Sequence, residues 1–489
     1  MFDKFRKIFF ENINLKQTIF KNTFWLAAAE ITTGLLRLAL VIFVARTLGS
    51  TEYGKFTFAY SFVSLFAILS DLGISFLVTR EFSKEKEKEK EYPVIVSLKI
   101  FLSAGVLVLT VLGSLFVSNL ENVRSIVWIL TIFIFSDGFF NIIYPFIRAR
   151  QKMEYEAFVK IVQAAITFIA GILVIFYFPS AISLSYVYLS ASIIVLSAVA
   201  VYFHFFVYPL KLVFDIPAWK KILKNSWALT FGFVGTWVYI NVDSVMIGFL
   251  GKTSEVGWYN AASKIVLSII LIAAGLVSRS FYPALCKLFK EANAKFQKGW
   301  DYYMKLMIFL SVPIMIGGWV FASRIIDLLY GLGNYHPSVF IFQILIILAG
   351  ITFLHYPYST ALVIFGRQKV NFFVMLTAVF LSVILNFVFI PIYGFNIVPI
   401  NTVIANIVVL FITIAFFKRY TPINPFDKDI IKILGVALFS GLVMFLLVTS
   451  PTIFNLNIFF CIILGAVVYC LSFLGLFLGM RFIFSGKFN

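Results

Sequence analysis

Apolar runs of about 20–25 residues recur along the whole chain, and no other feature limits the fold so sharply. About 20 helical residues cross a bilayer core, and every backbone N–H and C=O inside it must be paired within the protein. The runs fall at about 23–46, 55–79, 93–117, 125–147, 157–178, 183–206, 226–250 and 258–283. They continue at about 302–323, 339–364, 370–392, 397–417, 430–449 and 457–480. The expectation is an all-α polytopic membrane protein with about 14 transmembrane helices joined by short connections. Composition agrees: 61% of residues are hydrophobic and only 13% charged, against about 25% charged in soluble domains.

The net charge of +18 would suggest nucleic acid in a soluble protein. Here the cations sit in alternate short loops, such as Arg80/Lys84/Lys88/Lys90, Arg148/Arg150/Lys152, Lys211/Lys220/Lys221/Lys224 and Arg367/Lys369. The intervening loops are nearly uncharged, so the basic residues set topology and place both termini in the cytoplasm of a cell whose inner (cytoplasmic) membrane the chain crosses. Nucleic acid is not an expected partner. Three cysteines give no disulfide framework, no zinc spacing is present, and no glycine-rich loop follows a strand. No metal, cofactor or catalytic residue is expected, and the chain reads as a non-enzyme.

An internal repeat organises these runs. Lys21-Asn22-Thr23 opens the first and Lys224-Asn225-Ser226 the seventh, and each is followed about 26 residues later by a related turn, LGSTEYG at 48–54 and LGKTSEVG from Leu250. Six spans are an even number, so both copies enter from the same side and are related by a pseudo-twofold axis along the membrane normal. The resulting division is a basic amphipathic N-terminus at 1–21, a first six-helix lobe at 22–206 and an interfacial linker at 207–225. A second six-helix lobe follows at 226–417, then a C-terminal helix pair and tail at 418–489. The run REFSKEKEKEKEY alternates in sign and reads as a solvated helical extension of the second span.

The first run, NTFWLAAAEITTGLLRLALVIFVAR, carries Glu30 and Arg37 on one helix face. A central Arg costs about 2.5–3.5 kcal/mol to insert even on a lenient scale, so something inside the protein must use it. A structural ion pair and a charged, water-filled cavity are the two readings. The fourth run adds Asp137, Asn141, Tyr144 and Arg148 at spacings of four, three and four, a polar stripe down one face. Arg46, Lys264 and Arg279 extend the candidate cationic set, with boundary positions or snorkelling as the plainer accounts of Arg46 and Arg279. Asp71 is expected to be structural, pairing with Arg37 or supporting a kink at Gly73, and Asp243 to bind an ion or cap packing. His355, beside Pro357, is expected to pack in a kinked helix rather than relay protons.

Three segments carry a family resemblance. ARTLGSTEYGKFTFAYSFVSLFAILSDLGISFLVTRE (45–81) resembles the opening hairpin of polysaccharide-unit flippases, the Wzx- or RfbX-like polysaccharide biosynthesis proteins of the multidrug/oligosaccharidyl-lipid/polysaccharide exporter superfamily. NVDSVMIGFLGKTSEVGWYNAASKI (241–265) resembles the start of their second lobe. GRQKVNFFVMLTAVFLSVILNFVFIPIYGFNIVPINTVIAN (366–406) resembles spans eleven and twelve, down to Asn386, Pro391 and Gly394. The resemblance implies a flippase moving polyprenyl-diphosphate-linked oligosaccharides, such as O-antigen units, from the inner to the outer leaflet. It also implies membrane lipid and other polysaccharide-assembly proteins as partners.

A diphosphate crossing hydrocarbon needs compensating cations, for which Arg37, Arg46, Arg148, Lys264 and Arg279 are the expected set. Glu30, Asp71, Asp137 and Asp243 supply pairing or coupling-ion carboxylates, the ion being H+ or Na+. Alternating access of two lobes around the cationic cavity is the expected mechanism. A lipid II-type precursor flippase and a cation-coupled multidrug antiporter are the alternatives. A membrane polymerase or ligase ranks lower, because every outer loop is short.

Overall fold

Asn14 starts the first long helix: its side chain accepts the Gln17 N–H at 2.9 Å, satisfying one of the free donors of the first turn. The computed structural model describes residues 8–117 and 123–485, with side chains other than those of 15, 86, 227–234, 236 and 479–485. Within them the chain is helical and contains no strand. Helix α1 runs Leu15–Ala67, yet Gly49 stands at φ 75° and breaks it into two membrane-crossing arms that meet at the LGSTEYG turn. The second arm breaks again through a 3-10 turn, Ile68–Ser70, with Leu72 and Gly73 at positive φ, before α2 (Ile74–Lys84).

The remaining long helices are α3 (Tyr92–Ser114), α4 (Val123–Ala149), α5 (Met153–Tyr177), α6 (Ala181–Phe206) and α7 (Ile216–Leu250). They continue as α8 (Thr253–Ile269), α9 (Gly275–Glu291), α10 (Asn293–Tyr330), α11 (Pro337–Ile364) and α12 (Gln368–Tyr393). The last three are α13 (Ile397–Tyr420), α14 (Lys428–Val448) and α15 (Ile458–Ser485). Among the described residues, 12 helices are long and apolar enough to cross a membrane. The first of them, Lys16–Ser70, takes in the first expected span and most of the second, and α7 covers the seventh. The chain is a multi-pass helical membrane protein; the total of 14 stays an expectation.

Contacts divide the chain into two units, Met1–Gly257 and Trp258–Asn489. In the first, α1 packs on α4, α5 and α7, while α4 and α5 both pack on α6. Small residues allow this: Gly171 of α5 receives Leu40 of α1, where an added Cβ would come within 2.7 Å of the Leu40 side chain. The two copies of the repeat meet reciprocally inside this unit. A Cβ on Gly54 would stand 1.7 Å from the Thr253 carbonyl oxygen, and one on Gly257 2.0 Å from that of Ser50. Ser50 pairs with Thr253 and Gly54 with Gly257 when the copies are aligned, so this is the same contact made twice.

Three expectations are corrected by local geometry. The charge run is not one helix: α2 ends at Lys84, Glu85 is extended, and Lys86–Glu91 forms a 3-10 turn held by Lys88–Glu81 and Arg150–Glu89 pairs at 2.6 and 2.7 Å. The N-terminal segment is divided: residues 8–10 are helical and separated from α1 by 11–14, residues 15–21 belong to α1, and Phe2, Lys4, Phe5, Arg6 and Lys7 lie outside the described residues. The linker is shorter, because α7 starts at Ile216, where Asp215 accepts the Ala218 N–H at 3.0 Å. Its extended part is strapped to α3 by the Ser97 hydroxyl on the Val213 carbonyl, and the first turn of α7 by the Trp219 indole N–H on the Val94 carbonyl.

In the second unit α11 lies between α10 and α13, α12 packs on α13, and α14 rests on α10 and on α15. Buried Trp300 donates to the Pro357 carbonyl at 3.1 Å and stacks on Phe417, tying α10 to the proline-containing α11 and to α13. Asn401 donates to Asn386 at 3.0 Å, tying α13 to α12. His355 packs as expected for a kinked helix, 3.1 Å from the Thr413 hydroxyl. The C-terminal pair is anchored by Arg324, which donates to the Phe454 and Leu456 carbonyls, both at 2.5 Å.

Candidate functional site

The polar residues of the first unit gather on α1, α4, α5 and α6. Starting from the end of α4 that carries Arg148, its guanidinium clasps Glu156 of α5 in a two-bonded fork at 2.7 and 2.6 Å. Glu156 is fully buried, so the pairing offsets the desolvation of a carboxylate that could not stand alone there. One turn along α5, Lys160 meets the same carboxylate at 3.0 Å and reaches Glu30 of α1 at 3.2 Å. Lys160 also lies 5.8 Å from the ring centroid of Tyr144, whose hydroxyl is buried without a hydrogen-bond partner among the described residues.

Further along the ladder, Gln163 donates to Asp137 at a long 3.4 Å. Arg37, two turns beyond Glu30 on α1, is exposed and makes no ion pair within 4 Å among the described residues. It lies within electrostatic range of Asp137, Tyr60, Tyr144 and Tyr188. Tyr60 and Tyr188 stand 6.4 Å apart with Phe133 packed against both.

The stripe on α4 therefore faces protein and polar groups, but its members differ. Asp137, Tyr144 and Arg148 join the ladder. Asn141 exposes its side chain and contributes its carbonyl instead, to Lys99 and Ser75 at 3.0 and 2.9 Å. Asp71 pairs with Lys99 of α3 and with Ser75 at 2.5 Å, not with Arg37. Of the other candidates, Arg46 is exposed, Asp243 is buried on α7, Lys264 is half-buried in the second unit, and Arg279 is exposed there beyond a π-helical segment at Ile270–Ala274. Arg148 is not a free cation, because its Nε and Nη2 donors are both engaged by Glu156, although its side chain stays 37% exposed.

The ladder is also less positive than the cations alone suggest. Arg37, Arg148 and Lys160 stand against Glu30, Asp137 and Glu156, three charges of each sign. Sequence reasoning missed Glu156, Lys160 and Gln163, although their spacing of four and three on α5 matches the stripe on α4. Lys99, Lys21 and Glu154 were missed as well. Lys21 is fully buried, pairs with Glu154 at 2.9 Å, and with Asn22 grips Gln151 at the α4–α5 turn. Among the described residues no group of three or more His, Cys, Asp or Glu could hold a metal ion.

Comparison with known proteins places this arrangement. A family described as "Polysaccharide biosynthesis protein" matches residues 19–289. No curated protein matches the sequence. Among solved structures, the chain is similar to a lipid II flippase, MurJ, in an inward closed conformation, with a TM-score of 0.73 and 17% identity over 91% of this chain and 97% of that one. It is also similar to an inward-facing multidrug resistance MATE family transporter of the MOP superfamily, with a TM-score of 0.64, 14% identity and coverage of 79% and 94%. A MOP superfamily transporter from Pyrococcus furiosus, described as having a binding pocket of reverse polarity, gives 0.55, 13%, and 83% and 95%. At these identities the likeness shows the fold.

Proposed function

We propose that this chain, which belongs to the polysaccharide biosynthesis protein family, flips polyprenyl-diphosphate-linked oligosaccharide units from the inner to the outer leaflet of the cytoplasmic membrane. The observation that carries the reading is Arg37: a guanidinium on a membrane-crossing helix, held by no carboxylate within 4 Å among the described residues, beside half-exposed tyrosines and a carboxylate. Such a charge is costly in hydrocarbon unless it meets water or an anion during work. A diphosphate supplies that anion, and Arg binds phosphate oxygens through paired N–H donors.

The mechanism is alternating access, with the diphosphate and sugars inside the protein and the prenyl tail left in lipid. Arg46, Lys264 and Arg279 are further cations for the path. Glu30, Asp137 and Asp243 are the carboxylates for a coupling ion, H+ or Na+. The loop cations support a cytoplasmic position for both termini, and other polysaccharide-assembly proteins are the partners that would supply and collect the substrate.

The fold is shared with a lipid II flippase and with multidrug transporters, so both alternatives are tested together. Proteoliposomes containing the purified chain should move a fluorescent polyprenyl-diphosphate oligosaccharide under a proton or sodium gradient and leave a cationic dye untransported. Movement of the dye alone would contradict the reading and favour antiport. Preference for lipid II over other lipid-linked glycans would favour the peptidoglycan precursor instead.

A further inference from the structure

Lys160 holds two carboxylates of very different strength. Glu156 is fully buried and also takes both bonds of the Arg148 fork, so it cannot leave without stranding a buried charge. Glu30 is 57% exposed and makes one contact to Lys160, at 3.2 Å. An exposed, single-bonded pair of this kind is weak and exchanges readily with a competing anion. The Tyr144 ring centroid lies 5.8 Å from the Lys160 ammonium, and its hydroxyl is buried with nothing to bond among the described residues.

We propose that Lys160 is the second cation of the diphosphate site, and that Glu30 holds its place until a diphosphate displaces it. This rests on the reading above that the chain binds a polyprenyl diphosphate at Arg37. Glu30 and Arg37 share one face of α1, two turns or about 10 Å apart along the axis, and the displaced carboxylate swings away on the same helix that offers Arg37. A diphosphate presents more charge and more acceptor oxygens to Lys160 and the Tyr144 hydroxyl than a single carboxylate does. Arg148 stays outside the exchange as the fixed partner of Glu156. The ladder is thus balanced at rest, which spares a naked cation in the membrane, and becomes anion-binding when Glu30 lets go.

The test uses the full chain in lipid nanodiscs with farnesyl diphosphate as the probe. Glu30→Gln should tighten binding about 3–10-fold, Lys160→Gln should weaken it by a similar factor, and the double variant should match Lys160→Gln alone. Thermal unfolding of each variant checks that it is folded; Lys160→Arg, which keeps the cation, should bind like the parent if Lys160→Gln is unstable. A Glu30→Gln gain that survives without Lys160, no gain at all, or weaker binding after Glu30→Gln would overturn the proposal, the last pointing to a strut between α1 and α5. If the parent binds the probe and Arg37→Ala abolishes it while Glu30 and Lys160 are inert, only this inference fails. If the parent does not bind the probe, or Arg37→Ala binds it unchanged, the functional reading fails first.

Discussion

The Cα of Gly54 lies against the backbone of Thr253, so closely that a single added carbon would stand 1.7 Å from the Thr253 carbonyl oxygen. The related contact of Gly257 with Ser50 repeats it at 2.0 Å. Neither obstacle is a flexible side chain; both are backbone, which cannot rotate aside. Gly54→Ala and Gly257→Ala should therefore each destabilise the protein by about 1–3 kcal/mol and lower its thermal unfolding midpoint in detergent. Gly105→Ala, where an added Cβ meets nothing within 4 Å, is the control and should be neutral. Equal midpoints for all three variants would contradict the contact.

The pairing of Lys99 with Asp71 carries a second prediction. Lys99 is 2% exposed and its ammonium bonds to Asp71, the Ser75 hydroxyl and the Asn141 carbonyl, fastening the break between α1 and α2 to α3 and α4. Asp71→Asn alone should cost about 3–5 kcal/mol, because it leaves the buried Lys99 ammonium without its counter-ion, and Lys99→Met should cost less, because Asp71 is 29% exposed. The double change to Asn and Met should recover much of that loss in a thermal unfolding series. Additive losses would show that the two residues act separately.

How much of this was legible beforehand depends on which interactions are local. The membrane-crossing helices follow from hydropathy and length, and the turn at Gly49 from the repeated LGSTEYG motif, because both are properties of short stretches. The α4 stripe was readable in phase, since Asp137, Tyr144 and Arg148 follow the helical period. Its partners Glu156, Lys160 and Gln163 were not, because the pairing of α4 with α5 is set by packing between helices rather than along one. Asp71 shows the same limit: a lysine inside the apolar run SLKIF was visible, but only the fold brings Lys99 rather than Arg37 to it. The positive chamber inferred from the arginines alone became a balanced ladder for that reason.

Arg148 separates structural from substrate-binding cations. Arg148→Ala leaves buried Glu156 with Lys160 as its remaining cation, and should cost about 1–3 kcal/mol of stability. Because the missing charge is internal, Arg148→Ala/Glu156→Gln should regain stability relative to the single change. Thermal unfolding in detergent reads both. A folded, fully stable Arg148→Ala protein that has lost only substrate affinity would place Arg148 in the binding site instead.

Arg37 tests the account most directly. In proteoliposomes loaded with a fluorescent polyprenyl-diphosphate oligosaccharide, the account predicts that Arg37→Ala slows flipping at least about tenfold, a loss of about 1.4 kcal/mol or more, with unfolding temperature unchanged. Arg37→Lys, which keeps charge but not the paired donors, should fall between. Equal flipping by Arg37→Ala and the parent protein would contradict the claim that this guanidinium meets the diphosphate.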